Sequence, residues 1–255
     1  MLFKTIPHIY SEGKQTRITE KKLWLAEVND INGCELKCIL RHSKEGTLTL
    51  KNHWRGLIAL DVMALKINKG TLRFFEIDIM KMAKLQVFLD HAISNTDTIE
   101  TDELCWASFP DTVQDLNPDE MEYWLLNQAM RPAEDSKQLV QFLRETECYN
   151  LVHFLLSATD DNDQCLQNLC VRYGLSAAHF RRLSRHALGH TTKVTLREWR
   201  MTKAVLAFIN DPHNMTDVAF AHGYSSLSHF SNDVKKMLGM TPRALRKSII
   251  DMAMK

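Results

Sequence analysis

The chain is 255 residues long, 45% hydrophobic and 25% charged, with 9 glycines and 6 prolines. This ordinary globular composition excludes disordered, collagen-like and disulfide-scaffold classes, and at about 150 residues per domain it predicts one or two domains. Net charge is only +1, yet residues 164–255 carry 14 Lys and Arg against 5 Asp and Glu, a balance of +9 that leaves −8 on the first 163. An acidic front joined to a basic back points to a nucleic-acid-binding tail domain. Apolar runs such as 57–60 fall far short of the ~18 residues a membrane span needs, and the N-terminus opens no signal segment. The expectation is a cytoplasmic protein with no membrane partner, its six cysteines free thiols.

Segments 23–28, 35–40, 57–67 and 71–79 mix β-branched and aromatic residues, with turn signals at Asn32-Gly33, Glu45-Gly46 and Asn68-Lys69-Gly70. They predict short antiparallel strands, the last two forming a hairpin. Cys34, Cys38 and His42 invite a metal reading, but no second ligand pair follows at finger-like spacing. The two cysteines are read instead as small apolar residues on one face.

From Ile79 the apolar period becomes helical through Met82, Leu85, Val87, Phe88, Leu89 and Ile93. A second helix is expected after Pro118, with Met121, Trp124, Leu125 and Ala129 on one side, and a third from Ser136 to Leu156. This half reads as a strand-rich piece followed by helices. It is short of strands for a complete barrel and shows neither a polar cluster marking a ligand pocket nor a catalytic constellation. The acidic run Asp160-Asp161-Asn162-Asp163 is read as the boundary between an N-terminal region, 1–159, and a C-terminal domain, 160–255. An EF-hand reading of that run fails, because Cys165 stands where the loop needs Gly and Val171 where it needs Glu.

The C-terminal part contains a duplication. Gly174-Leu175-Ser176-Ala177-Ala178-His179-Phe180 can be laid over Gly223-Tyr224-Ser225-Ser226-Leu227-Ser228-His229-Phe230 with one extra residue, after which Gly189 falls on Gly239. Each copy offers an apolar helix, a Gly able to take the left-handed conformation that ends it, and a Ser able to cap the next helix. Two helices joined by such a turn form a helix-turn-helix. In the first copy the second helix, 177–187, turns Phe180 and Leu183 inward, while Ala178, His179, Arg181, Arg182 and Arg185 lie on its outer side. Arg is the side chain best shaped to contact guanine edges or phosphates from a helix in the major groove. In the second copy, about 226–237, the outward set is Leu227, Ser228, His229, Asn232, Lys235 and Lys236, and Asp233 is expected to repel phosphates. The first copy is therefore expected to do most of the sequence reading. A helix from Thr195 to Ile209 would hold the two readers apart, near one DNA turn of ~34 Å.

At these residues the chain resembles the AraC/XylS family of bacterial transcription regulators. The resemblance is carried by the tandem arrangement, by Arg200-Met201-Thr202-Lys203-Ala204, by residues 217–230 and by Gly239-Met240-Thr241-Pro242-Arg243-Ala244-Leu245-Arg246. Asn232 and Val234 stand where the family usually has a basic residue and Phe. Residues 179–183, 196–201 and 122–128 are similar to family members that activate type III secretion genes. The resemblance implies an α+β fold class: a strand-rich then helical N-terminal region and an all-α C-terminal domain with two helix-turn-helix units joined by a long helix. It also implies a virulence-gene activator whose partners are double-stranded DNA, RNA polymerase and a secretion chaperone as coactivator, and it leaves homodimer formation open. The alternative is a ligand-responsive regulator that senses a small molecule through its N-terminal half.

An enzyme is the weakest reading, and no cofactor is expected. His186 and His190 are four apart, but Gly189 is placed to end the helix between them, and no phosphate loop or nucleophile elbow occurs.

Overall fold

A computed structural model describes residues 6–40, 45–93, 101–110, 117–158, 166–210 and 215–253. His42 of the metal reading and residues 160–165 of the boundary and EF-hand readings lie outside them. The chain divides into two compact units, Met1–Asn150 and Leu151–Lys255.

The first unit contains strands β1 (His8–Ser11), β2 (Gln15–Ile18), β3 (Lys22–Glu27), β4 (Cys34–Ile39), β5 (Glu45–Leu50), β6 (Arg55–Leu60), β7 (Met63–Lys69), β8 (Thr71–Ile77) and, after helix α1 (Ile79–Ile93), β9 (Leu104–Ser108). They form a five-stranded sheet ordered β1-β8-β3-β6-β9 and a four-stranded sheet ordered β2-β7-β4-β5, with every neighbouring pair antiparallel. Helices α2 (Met121–Met130), α3 (Glu134–Arg144) and α4 (Glu147–Ala158) follow.

Side chains alternate along a strand, and β3 and β6 use both faces. Trp24, Ala26, Ile58 and Leu60 join the core shared with β2, β4, β5 and β7, where Trp24 stacks on Phe74 at 4.0 Å. Leu23, Leu25, Leu57 and Ala59 face the opposite core, which α1, α2 and α3 close with Met82, Leu125, Leu139 and Phe142. The five-stranded sheet is thus the middle of three layers, buried on both sides.

The expected strands over 23–28, 35–40 and 71–79 are β3, β4 and β8. Three expectations fail. The last two segments form no hairpin, because β7 and β8 follow one another across Gly70 but pair with strands of different sheets. Segment 57–67 is two strands: β6 pairs with β3 in one sheet, and β7 pairs with β2 and β4 in the other. The strands were also undercounted, since β1, β2 and β5 carry few apolar residues and β9, though apolar, is only five residues long, and Glu45-Gly46 opens β5 instead of making a turn. With nine strands among the described residues, shortage of strands is no argument against a barrel-like unit. The inter-sheet core gathers apolar side chains such as Trp24, Leu36, Ile58 and Phe74. Gly33 and Gly70 do mark turns, with φ of +74° and +77°; a Cβ on Gly70 would lie 2.1 Å from the Gly33 carbonyl oxygen, so only Gly fits.

The third predicted helix is also two. Thr146 separates them: its hydroxyl donates to the Leu143 carbonyl at 2.7 Å, closing α3, and accepts from the Tyr149 amide at 3.1 Å, opening α4. The helices are tied by Asp90 of α1, which accepts from Arg144 Nε at 2.8 Å, from the Tyr149 hydroxyl at 2.7 Å and from Gln86 at 2.9 Å. The Tyr149 hydroxyl is pushed well above its ordinary pKa by burial and then by its bond to Asp90.

Cys34 and Cys38 both lie in the inter-sheet core on β4. Four residues along a strand place them about 13 Å apart, too far to share an ion. Burial pushes each thiol up to about 11 and that of Cys105 up to about 12.

The second unit begins within α4, at Leu151, and its described residues are all helical: after α4 come α5 (Leu166–Tyr173), α6 (Ala177–Leu188), α7 (Thr192–Asn210), α8 (Met215–Ala221), α9 (Leu227–Leu238) and α10 (Pro242–Ala253). Helix α7 is longer at both ends than expected, and its 19 residues span about 28 Å. Among the described residues no helix is long and apolar enough to cross a membrane.

Candidate nucleic-acid interface

The two copies share one set of caps. Gly174 and Gly223 take φ of +79° and +72°. Ser176 and Ser226 then accept from the amides of His179 at 3.3 Å and His229 at 3.1 Å, three residues into each helix. At the far ends Gly189 and Gly239, both left-handed, return their amides to Arg185 and Lys235. Gly189 therefore does end α6 between His186 and His190. Phe180 and Phe230 occupy the same inward position, and both are fully buried.

Helix α7 serves both copies. Its second half supplies Met201, Ala204 and Val205 to a core completed by Ala219, Tyr224, Phe230 and Val234. Its first half packs on α6, with Thr195 and Leu196 buried.

On α6, Ala178, His179, Arg181, Arg182 and Arg185 are all exposed, while Phe180, Ser184 and Ala187 are buried. None of the three arginines makes an ion pair with another described residue. They border a cleft of about 800 Å³ between α6 and the start of α7, whose wall also carries Lys193, Arg197 and Arg200. Those α7 cations were missed from the sequence. Their signal was present in the spacing 193, 197, 200, which puts them on one helical face beside the first reader.

On α9, Ser228, His229, Asn232, Lys235 and Lys236 are exposed, as read from the sequence. Leu227 is not: it is half-buried and packs on the core of its own unit. His229 is held at the helix start, with its Nδ1 3.2 Å from the Ser225 hydroxyl and its ring edge-on to Tyr224. Asp233 corrects a further expectation. It is 4% exposed and points at α7, where Arg197 grips both carboxylate oxygens, Nε at 3.0 Å from Oδ2. It therefore faces away from any phosphate approaching the outer side. Hydrogen bonding from Arg197 holds its carboxyl below the ordinary carboxylate range, and the Arg197 guanidinium is raised in turn. Arg200 lies over the Tyr224 ring at 5.1 Å.

Residues 169–248 match the family described as "Helix-turn-helix domain". The invasion protein InvF of Salmonella typhimurium is 36% identical over 187 residues, covering 72% of this chain and 85% of InvF. The chain belongs to the AraC/XylS family of transcription regulators. The InvF match reaches well beyond the helix-turn-helix units, so the regulator shares most of its length with that relative. The transcriptional regulator MxiE of Shigella flexneri is 38% identical over 104 residues, 40% of this chain and 50% of MxiE. Among solved structures, ToxT from Vibrio cholerae covers 94% of this chain and 96% of its own at 11% identity, with a TM-score of 0.37. At that level the structural likeness adds nothing to the sequence match.

Proposed function

We propose that the regulator activates invasion or type III secretion genes by reading DNA with two unequal helices, α6 carrying most of the sequence information and α9 most of the positioning. The observation that supports this reading is the exposed arginine side of α6, continuous with the Lys193, Arg197 and Arg200 wall of the cleft. Exposed cations on α6, with Lys193 and Arg200 of α7 beside them and Arg197 engaged by Asp233, suit a helix lying in a major groove between two phosphate rows. Residues 160–255 form the DNA-binding domain in this reading, and residues 1–159 a partner-binding region that receives a small secretion chaperone as coactivator before RNA polymerase is engaged.

The partner side is supported by α2. Tyr123, Leu126 and Met130 are spaced i, i+3, i+7 and are 69%, 37% and 72% exposed, a stripe that could seat a groove. Trp124, between them, faces inward and packs on Phe109 at 5.8 Å.

Two experiments test the two halves. A fragment covering residues 160–255 is expected to bind duplex DNA specifically, with affinity falling steeply between ~50 and 200 mM salt. Flat affinity from a folded fragment sinks the DNA reading. Reconstituted transcription is expected to need a second protein besides RNA polymerase. Full activation without one refutes the coactivator reading, and dependence on a small molecule favours the ligand-sensing alternative.

A further inference from the structure

The fifty-residue offset that lays Ser176 on Ser226 and Phe180 on Phe230 also lays Leu183 on Asp233. In α6 this inward position is a half-buried leucine; in α9 it is a buried carboxylate. Taking a carboxylate out of water costs more than packing gains there, unless the charge is fully paired. Packing is satisfied by leucine in the first copy and does not call for an aspartate in the second.

What the aspartate gains is Arg197. Both guanidinium donors, Nε and Nη2, meet the two carboxylate oxygens, joining α9 to α7 across 36 residues of sequence. A two-point fork fixes direction as well as distance, so it resists turning of α9 about its own axis against α7. Arg197 at the same time borders the cleft beside Arg181, Arg182 and Arg185. Arg200, three residues on, repeats the arrangement by lining that cleft and covering Tyr224. Helix α7 thus holds the second reader through side chains that also face the first.

We propose that Asp233 is a positioning residue whose clasp with Arg197 fixes α9 relative to α6, and so sets the spacing between DNA half-sites that the regulator accepts. The inference rests on the two-reader function proposed above. With about 10.5 base pairs per turn, each added pair rotates the second half-site by roughly 34°. Phe230 and Val234 keep α9 packed on α7 with or without the clasp, so the clasp adds stiffness against turning, and its loss widens the range of spacings that α9 tolerates.

The test uses the full-length regulator to select a bipartite site from random duplex DNA. Affinity is then measured on that site and on versions with one base pair added to or removed from the spacer. Wild type should lose about tenfold or more with either change, the scale of one lost base-pair contact. Asp233→Asn and Arg197→Lys should each lose less than about threefold, and the double variant should flatten the profile no further, because both remove one clasp. The readout is a ratio between spacings within one variant, so a uniform loss of affinity or of folded fraction does not move it. Arg197→Lys keeps the charge while losing the fork, and it carries the test if Asp233→Asn does not fold. An unchanged spacing profile in the folded variants overturns the proposal, as does a wild type indifferent to spacing while still selecting DNA. Failure to select any duplex overturns the two-reader function itself and this proposal with it.

Discussion

In the first helix-turn-helix copy the recognition helix shows Arg181, Arg182 and Arg185 to one side; fifty residues on, the same positions are Ser231, Asn232 and Lys235. Underneath, the copies are nearly superposable in design: a left-handed Gly, a Ser cap bonded three residues on, a fully buried Phe and a second left-handed Gly. The comparison separates two kinds of information. Caps and core make the motif, and they recur. The outer face diverges, and so do the inward pairs Leu183 with Asp233 and Ser184 with Val234, and these differences decide what each copy does.

Removing the shared part should have the largest effect. Phe180→Ala and Phe230→Ala each empty a fully buried site and should cost about 3–5 kcal/mol, with similar values in both copies. Denaturant titration checks this, and a large asymmetry would show that one copy leans on the other for its stability. Next in size is the divergence of the outer faces. Arg182→Ala should cost roughly 1–3 kcal/mol in operator affinity if its contact is bidentate to a base, and Asn232→Ala less. Titration showing the reverse order would transfer the main reader to α9.

The caps come third. Ser176→Ala and Ser226→Ala each remove the acceptor for one orphan amide and should cost about 1 kcal/mol apiece, read as equal shifts in denaturation midpoint. The smallest expected effect is on acid stability. Asp233 has its pKa depressed in the fold by Arg197, so its contribution is present above the ordinary unfolded value of about 3.9 and is lost as pH falls through the lower folded one. Melting curves of wild type and Asp233→Asn should keep a constant gap from pH 7 to about 5 and converge below about 4. A gap that closes near neutrality would assign the effect to another group.

The thiols test the contrast between the buried first unit and the exposed reader. Cys34, Cys38 and Cys105, raised by burial, should resist a thiol reagent at pH 8 in the folded chain and react on unfolding. Rapid labelling at Cys38, mapped by mass spectrometry, would show that the inter-sheet core opens in the native state.

The sequence by itself determined the C-terminal unit, because its signals are local. A Gly, a Ser two or three residues later and an inward Phe act within one turn of backbone, so the helix ends and the exposed arginines could be read without knowing what lay beside them. The division of the first unit into layers was decided only by tertiary structure. Strands β1, β2, β5 and β9 have little local preference and exist because distant partners such as β8 and β6 complete their hydrogen bonds. The apolar run over 57–67 looked continuous because β6 is buried on both faces, which no periodicity distinguishes from a single longer strand. The same limit hid the clasp. Asp233 could be placed on α9 from sequence, but whether its charge met phosphates or Arg197 depended on a helix 36 residues away, and only folding brings that helix within reach.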